Sequence, residues 1–197
     1  MPAVIRLATL SDASRIAAIY RPAVTDSVIS FEAEPPDEAA MGERIRSTLA
    51  ILPWLVCEAG TLRGYAYASR YRERTAYQWS AEVSAYVDQE ARGMGVGRAL
   101  YASLFAILVL QGFRNAYAGM TLPNEASVGL HEAVGFTPIG VYRSVGYKFG
   151  AWHDVGWFER QLAPRESDPA PPVPLPRIAG TPELAAALAT GERFLRL

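Results

Sequence analysis

Apolar residues along the chain follow two alternating spacings. Two stretches near the beginning repeat their apolar residues every three or four positions, and Asp12 and Asp37 precede them as candidate helix caps. Between residues 54 and 70, two apolar runs are joined across Gly60, which predicts a β-hairpin. The predicted strands span 4–8, 54–59, 62–70, 81–87, 117–122, 138–143 and 155–161. The predicted helices follow Asp12 and Asp37 and span 98–111 and 126–134.

This order of elements mixes antiparallel hairpins with helical crossovers. Such a mixture is typical of a mixed α/β (α+β) domain, in which helices flank a central sheet. The helix over 98–111 is apolar nearly all round, so we expect it to be buried on several sides. An all-round apolar helix would also suit a subunit interface.

The last part of the chain has a different composition. Seven of the 14 prolines follow Ala163, which predicts an extended linker. Thr181, Pro182 and Glu183 then form a helix-start signal. We therefore divide the chain into a domain over 1–163 and a Pro-rich extension with a short helix over 164–197. A weakly ordered tail and a segment docked on its own domain or on a second subunit both fit this pattern.

Composition limits the classes of function. The 197 residues are 50% hydrophobic and 11% aromatic with a net charge of −1, which indicates a folded globular chain. A chain this close to neutral has no overall basic field for nucleic acid or an anionic membrane. Residues 1–6 lack a signal-peptide pattern, and the apolar run 99–110 is too short to span a bilayer, so we expect a cytoplasmic protein.

Metal and disulfide chemistry have little support in the sequence. Cys57 is the single cysteine and lies in an apolar run, which is typical of a small buried residue. The two histidines, His131 and His153, are far apart and lack a carboxylate cluster, so no metal site is expected.

The most informative stretch is a glycine loop between a predicted strand and a predicted helix. Gly93, Gly95 and Gly97 leave the backbone N–H groups free to converge on an anion at the positive helix end, and Arg92 and Arg98 add charge. The spacing matches neither the dinucleotide fingerprint nor a Walker loop. A plain flexible turn is the alternative explanation for such a loop taken alone.

Other segments of the chain, together with the loop, resemble a known family. The pattern Arg92-x-x-Gly95-x-Gly97, and Asn124 followed by LHEAVGF at 130–136, resemble the cofactor region of the GCN5-related N-acetyltransferases (GNAT). The segments AYQWSAEVSAYV at 76–87, LPN at 122–124 and GYKFGAWHDVG at 146–156 are similar to the phosphinothricin and methionine sulfoximine N-acetyltransferases of that family. The similarity runs from about residue 5 to about residue 162, which leaves the extension uncovered.

This resemblance implies the GNAT fold, a mostly antiparallel mixed sheet with splayed parallel strands, and acetyl-CoA as co-substrate without a metal. It further implies that Ala85, Tyr86 and Val87 hold the pantetheine arm by their backbone and that Asn124 binds near the thiol end. The residues implied to bind the pyrophosphate are Arg92, Gly93, Met94, Gly95, Val96, Gly97 and Arg98.

Glu82 and His131 are the candidate catalytic residues. An amine must lose a proton before it attacks a thioester, and Glu82 stands in an apolar strand where desolvation would raise its pKa. A salt-bridge role is the alternative, and the match to the family's glutamate favours catalysis. His131 stands where many relatives have a tyrosine, so it could protonate the thiolate or relay the amine proton, unless it is structural. Tyr101 is a second candidate for that proton, with core packing as the alternative.

The run 70–74 carries three arginines shortly before Glu82. Guanidinium groups suit a forked anion such as a carboxylate, and Arg72 and Arg74 are therefore candidate substrate residues with Tyr77. The resemblance adds Phe31 as a pocket aromatic.

The implied activity is acetylation of the α-amino group of a small amino acid such as phosphinothricin, methionine sulfoximine or methionine sulfone, by a homodimer. A GNAT enzyme for another amine, and a non-catalytic sensor of CoA esters, are the alternatives.

Overall fold

The computed structural model describes residues 3–197. One mixed sheet of seven strands forms its centre, with the strand order β1-β2-β3-β4-β5-β7-β6. The strands are β1 (Val4–Leu7), β2 (Trp54–Ala59), β3 (Thr61–Arg70), β4 (Ser80–Val87), β5 (Asn115–Leu122), β6 (Thr137–Lys148) and β7 (Ala151–Gln161). The helices are α1 (Ala13–Thr25), α2 (Glu38–Leu49), α3 (Val96–Gln111), α4 (Glu125–Ala133) and α5 (Pro182–Ala189).

Helices cover both faces of the sheet, as the sequence predicts. On β2, Trp54 and Val56 pack with α1 and α2 on one face, while Leu55 and Cys57 pack with α3 on the other. This alternation gives β2 its unbroken apolar run, because both faces of the strand are buried. The thiol of Cys57 is fully buried, and this burial raises its pKa to about 11. The residue is a packed apolar side chain.

The β6–β7 hairpin is longer than predicted. The sequence analysis ends the first strand at residue 143 and starts the second at residue 155, whereas the strands reach Lys148 and begin at Ala151. They meet in a two-residue turn in which Phe149 and Gly150 have φ angles of 50° and 79°. Positive φ at both positions matches the twist of a hairpin. A phenylalanine is an unusual first residue for such a turn, so the sequence carries no turn signal there.

The Pro-rich extension docks on α3 of its own chain. Gln111 donates hydrogen bonds to the carbonyls of Ile51 and Val173 (2.9 and 2.8 Å), and Ser103 donates to the carbonyl of Leu188 (2.6 Å). Leu184 of α5 is buried in the same core. The extension therefore covers part of α3, and most apolar side chains of that helix are buried within one chain. The boundary at residue 163 stays a prediction.

Within residues 3–197, none of the helices is both long enough and apolar enough to cross a bilayer.

Candidate active site

A gap opens between β4 and β5 in the middle of the sheet. These neighbours are parallel and are paired only where Ser80–Glu82 meets Asn115–Tyr117. Beyond that point β4 continues against β3 and β5 continues against β7, and the two strands part. In a ladder, alternate residues turn their N–H and C=O groups toward each neighbour. The stretch 83–87 therefore presents main-chain donors and acceptors to an open slot, where an extended ligand can pair with them.

The glycine loop lies at the end of β4 and begins α3. Gly93 and Gly95 have φ angles of 77° and 81°, which are left-handed values that favour glycine. No side chain caps α3, so the N–H groups of its first turn have no acceptor within the helix. At Gly97 a Cβ would lie 2.8 Å from a methyl group of the Leu130 side chain on α4, so a larger residue there would require that side chain to shift. Backbone N–H groups without an acceptor at the start of a helix are typical of an anion-binding loop, and the phosphate-binding role of this loop stays a prediction.

Glu82 is the last residue of β4 paired with β5. Its side chain is half-buried, and this burial raises the pKa of the carboxyl group above its usual value, while the nearby Arg72 guanidinium lowers it. Desolvation is the larger effect. The structure therefore places a carboxyl group of raised pKa at the point where the gap opens.

Tyr101 and His131 form one buried hydrogen-bonded unit between α3 and α4. The Nδ1 atom of His131 lies 2.7 Å from the carbonyl oxygen of Ser127, which can only accept, so Nδ1 carries the proton. The Nε2 atom then accepts from the Tyr101 hydroxyl at 2.9 Å. Burial lowers the pKa of His131, which keeps the imidazole neutral at pH 7. In the part of the chain that the structure describes, Glu82 shares no hydrogen bond with this pair.

An aromatic cluster lies beside Glu82. Tyr117, opposite Glu82 on β5, stacks on Tyr71 with ring centroids 4.3 Å apart, and Trp157 lies 6.4 Å from Tyr71 edge to face. The buried indole N–H of Trp157 has no partner within residues 3–197. Sequence reasoning missed these aromatics, because strands distant in sequence bring them together and no local motif signals it.

The arginine run divides into two environments. The Arg72 guanidinium lies 4.4 Å from the centre of the Tyr71 ring and acts electrostatically on Glu82. Arg72 and Arg74 are both exposed, and Arg74 precedes a short 3₁₀ turn that contains Tyr77, which is 42% exposed. Of the predicted substrate residues, Arg72 is thus the one that the structure brings to Glu82.

Phe31 packs on the β6–β7 hairpin. Its ring occupies the space where a Cβ at Gly146 would stand and lies 6.2 Å from the His153 ring. The neighbouring Glu32 accepts two hydrogen bonds from Arg44 (2.8 and 2.9 Å) and one from Tyr20 (2.8 Å). These contacts hold the Phe31 loop against α1 and α2. They link residues twelve apart, and the sequence analysis did not identify them.

Asn124 caps α4 through its side-chain oxygen, which accepts from the Ser127 N–H at 3.1 Å. The side-chain amide N–H groups donate no hydrogen bond within residues 3–197, so they are free for a ligand. No group of three or more His, Cys, Asp or Glu side chains suited to a metal occurs among the same residues.

A family model described as "Acetyltransferase (GNAT) domain" matches residues 5–157. The phosphinothricin N-acetyltransferase of Streptomyces viridochromogenes is 37% identical over 175 residues, which are 88% of this chain and 93% of that protein. The L-methionine sulfoximine/L-methionine sulfone acetyltransferase of Pseudomonas paraeruginosa is 34% identical over 173 residues, with 86% of this chain and 100% of that protein covered.

Among solved structures, a GNAT superfamily phosphinothricin acetyltransferase from Sinorhizobium meliloti in complex with acetyl-CoA superposes with a TM-score of 0.82. It is 36% identical and covers 88% of this chain and 96% of its own. The similarity therefore extends over the sheet, the glycine loop and the gap.

Proposed function

Because this chain belongs to the GNAT family of acetyltransferases, we propose that it acetylates the α-amino group of a small amino acid of the phosphinothricin, methionine sulfoximine or methionine sulfone kind. The chain is an N-acetyltransferase whose co-substrate is acetyl-CoA. The observation that carries the finer proposal is Glu82, a half-buried carboxyl group of raised pKa beside the Arg72 guanidinium.

The cofactor is proposed to lie along β4 and the glycine loop, and it supplies the acetyl group as a thioester. The N–H groups from Gly93 to Arg98, with the Arg92 side chain, bind the pyrophosphate. The main chain of 85–87 pairs with the pantetheine arm across the gap, and the free amide of Asn124 donates near the thiol end. The uncapped start of α3 and the open edge of β4 support these roles.

Glu82 is proposed to be the general base. A free amino acid carries an ammonium group at neutral pH, so a proton must leave before the nitrogen can attack. A carboxylate of raised pKa accepts a proton from an ammonium group more readily than an exposed carboxylate does. Arg72 holds the acceptor's carboxylate close to Glu82, with Arg74, Tyr77 and Phe31 around the pocket. A guanidinium offers parallel N–H donors that match the forked oxygens of a carboxylate.

His131 is proposed to act together with Tyr101 in returning a proton to the departing thiolate. The Tyr101 hydroxyl proton points at Nε2, while Nδ1–H is fixed on Ser127. His131 thus orients the Tyr101 hydroxyl. That hydroxyl must turn away from Nε2 before it can give its proton to the thiolate.

Thiol release from acetyl-CoA across a panel of acceptors tests the proposal. We expect turnover with phosphinothricin, methionine sulfoximine and methionine sulfone, and none with spermidine or an aminoglycoside, because a polycation is repelled by the Arg72 guanidinium beside Glu82. Turnover with the polycations alone would show that the acceptor is a polycationic amine and not a small amino acid. Cofactor binding without turnover on any of these amines would favour a sensor of CoA esters.

Arg72→Gln is expected to raise KM for the amino acid by about tenfold or more, with a smaller change in kcat. The reason is that a hydrogen bond to a charged group contributes about 1.5–3 kcal/mol. Steady-state kinetics at saturating acetyl-CoA measure the effect. Arg74→Gln is the matched variant, and we expect a smaller rise because Arg72, and not Arg74, acts electrostatically on Glu82. An unchanged KM in both variants would show that the carboxylate of the acceptor binds elsewhere.

We further propose that the β6–β7 hairpin pairs two copies of the chain. β6 is an edge strand of the sheet, and its hairpin exposes large apolar side chains over much of its length. The exposed fractions are 61% for Tyr147, 63% for Phe149 and 65% for Trp152. An exposed apolar edge strand is unfavourable in a monomer and is covered when a second copy pairs with it.

Sedimentation velocity tests this pairing. The unchanged protein is expected to sediment as a dimer at micromolar concentration. Trp152→Ser with Val145→Lys is expected to shift it to the monomer, since Val145 of β6 is also exposed (53%) and both changes place polar groups on the hairpin. Val109→Lys is the control, because Val109 is an exposed apolar residue on α3, away from the hairpin. A monomeric unchanged protein would refute the proposal.

A further inference from the structure

A groove of about 710 Å³ lies between α3, the end of α4, β7 and the C-terminal extension. It is outside the gap between β4 and β5, and part of its wall comes from residues beyond the stretch 5–157 that matches the family model. Apolar side chains and three arginines line it. The arginines are Arg98 of α3, Arg160 of β7 and Arg193 of the extension.

The three guanidinium groups of this groove have no carboxylate partner within 4.0 Å among residues 3–197. Arg98 and Arg193 lie over the Phe194 ring, at 4.3 and 4.8 Å from its centre. Arg160 lies over the Phe105 ring at 4.5 Å and donates to the carbonyl of Val134. Two cations held on one aromatic ring without a counter-ion make a local positive field that an anion would neutralise.

The groove is continuous with the glycine loop. Arg98 belongs to the first turn of α3, directly after the loop. The end of the extension lies on the loop itself, where the Arg196 N–H donates to the Met94 carbonyl at 3.0 Å and the Phe194 carbonyl packs against Gly95. A ligand whose pyrophosphate lies on the glycine loop would therefore meet Arg98, Arg193 and Phe194 next.

We propose that the extension completes the acetyl-CoA site, with Arg98 and Arg193 binding the ribose 3′-phosphate and the apolar wall of the groove receiving the adenine. This inference rests on the cofactor arrangement of the proposed function. A phosphate monoester is a dianion with several acceptor oxygens, which suits two forked guanidinium groups. Adenine is a flat aromatic group that packs on apolar and aromatic side chains.

Isothermal titration of the full chain with acetyl-CoA and with its 3′-dephospho analogue tests the proposal without any turnover. The unchanged protein is expected to bind acetyl-CoA roughly tenfold more tightly than the analogue, as the loss of a charge-assisted contact predicts. Arg193→Gln is expected to remove most of that preference by weakening acetyl-CoA alone. Arg177→Gln is the matched control, because Arg177 is exposed in the same extension and does not line the groove.

Three results would overturn the inference. The first is an unchanged protein that binds both compounds equally, and the second is an Arg193→Gln variant that keeps the full preference. The third is an equal loss for both compounds in that variant, which would mean that Arg193 only supports the loop. A thermal melt of each variant verifies folding. These results do not depend on the proposed amino-acid specificity, because the binding measurement contains no acceptor. A failure of that specificity would appear only in the acceptor panel.

Discussion

Glu82→Gln is expected to lower kcat by roughly 10²–10⁴-fold, the usual contribution of a general base, while the Kd for acetyl-CoA stays unchanged. Glutamine keeps the shape of the side chain and cannot take the proton from the ammonium group of the acceptor. The cofactor's proposed partners are main-chain groups and the glycine loop, so its binding does not depend on this carboxylate. Single-turnover rates and titration calorimetry separate the two quantities.

The pH dependence provides a second measurement for Glu82. Burial raises the pKa of this carboxyl group in the folded chain, so kcat/KM is expected to rise with pH through that raised value as the base ionises. Glu82→Gln should lack this limb of the profile. If the Glu82→Gln variant keeps a near-normal kcat and an unchanged acid limb, Glu82 is not the general base.

Stability is expected to change in the opposite direction from activity. The folded pKa of Glu82 lies above its unfolded value, so the folded chain holds this proton more tightly, and stability falls as pH rises through the window between the two values. Above that window the ionised, half-buried carboxylate destabilises the folded state. Glu82→Gln removes this destabilisation, and urea denaturation at neutral pH is expected to show equal or greater stability. A loss of stability would mean that the carboxylate has a structural partner.

Gly95→Ala is expected to destabilise the chain and weaken acetyl-CoA binding more than any other single change in the loop. Alanine at a φ of 81° costs about 1–2 kcal/mol, and the new Cβ would overlap the carbonyl oxygen of Phe194. Relieving such an overlap in a packed region typically costs a further 1–3 kcal/mol or so. Urea denaturation measures the loss of stability, and titration calorimetry measures the cofactor affinity.

Gly93→Ala is the matched control for this change. Gly93 has nearly the same backbone conformation, with a φ of 77°, but a Cβ there would meet no atom within 4 Å. The backbone strain is therefore common to both variants, and the difference between them measures the contact of the extension with the loop. Equal losses in the two variants would show that the Phe194 carbonyl does not press on Gly95 in solution.

The sequence predicted those parts of the molecule in which neighbouring residues determine the structure. The strand over 54–59 has the predicted bounds, and the glycine loop opens into a helix as its spacing indicates. These elements depend on local periodicity and on backbone freedom, which are visible in a short window of residues. The hairpin over 137–161 was predicted too short, because its turn uses Phe149 instead of a common turn residue.

The side-chain arrangement of the site could be predicted from the sequence only in part. Sequence proximity to Glu82 made Arg72 and Arg74 equal candidates, and the structure separates them because the chain between β3 and β4 turns Arg72 onto the Tyr71 ring. The pairing of Tyr101 with His131 joins residues thirty positions apart on two helices. Such contacts are set by how elements pack, and no spacing along one chain encodes them.

The parting of β4 and β5 has a consequence for inheritance. The groups that face this gap belong to the main chain, and a point mutation exchanges side chains while leaving N–H and C=O groups in place. The proposed acceptor site is instead formed by the side chains of Glu82, Arg72 and the surrounding aromatics, each of which one mutation can replace. A lineage can therefore exchange one amine for another while its use of the acyl donor passes unaltered from ancestor to descendant.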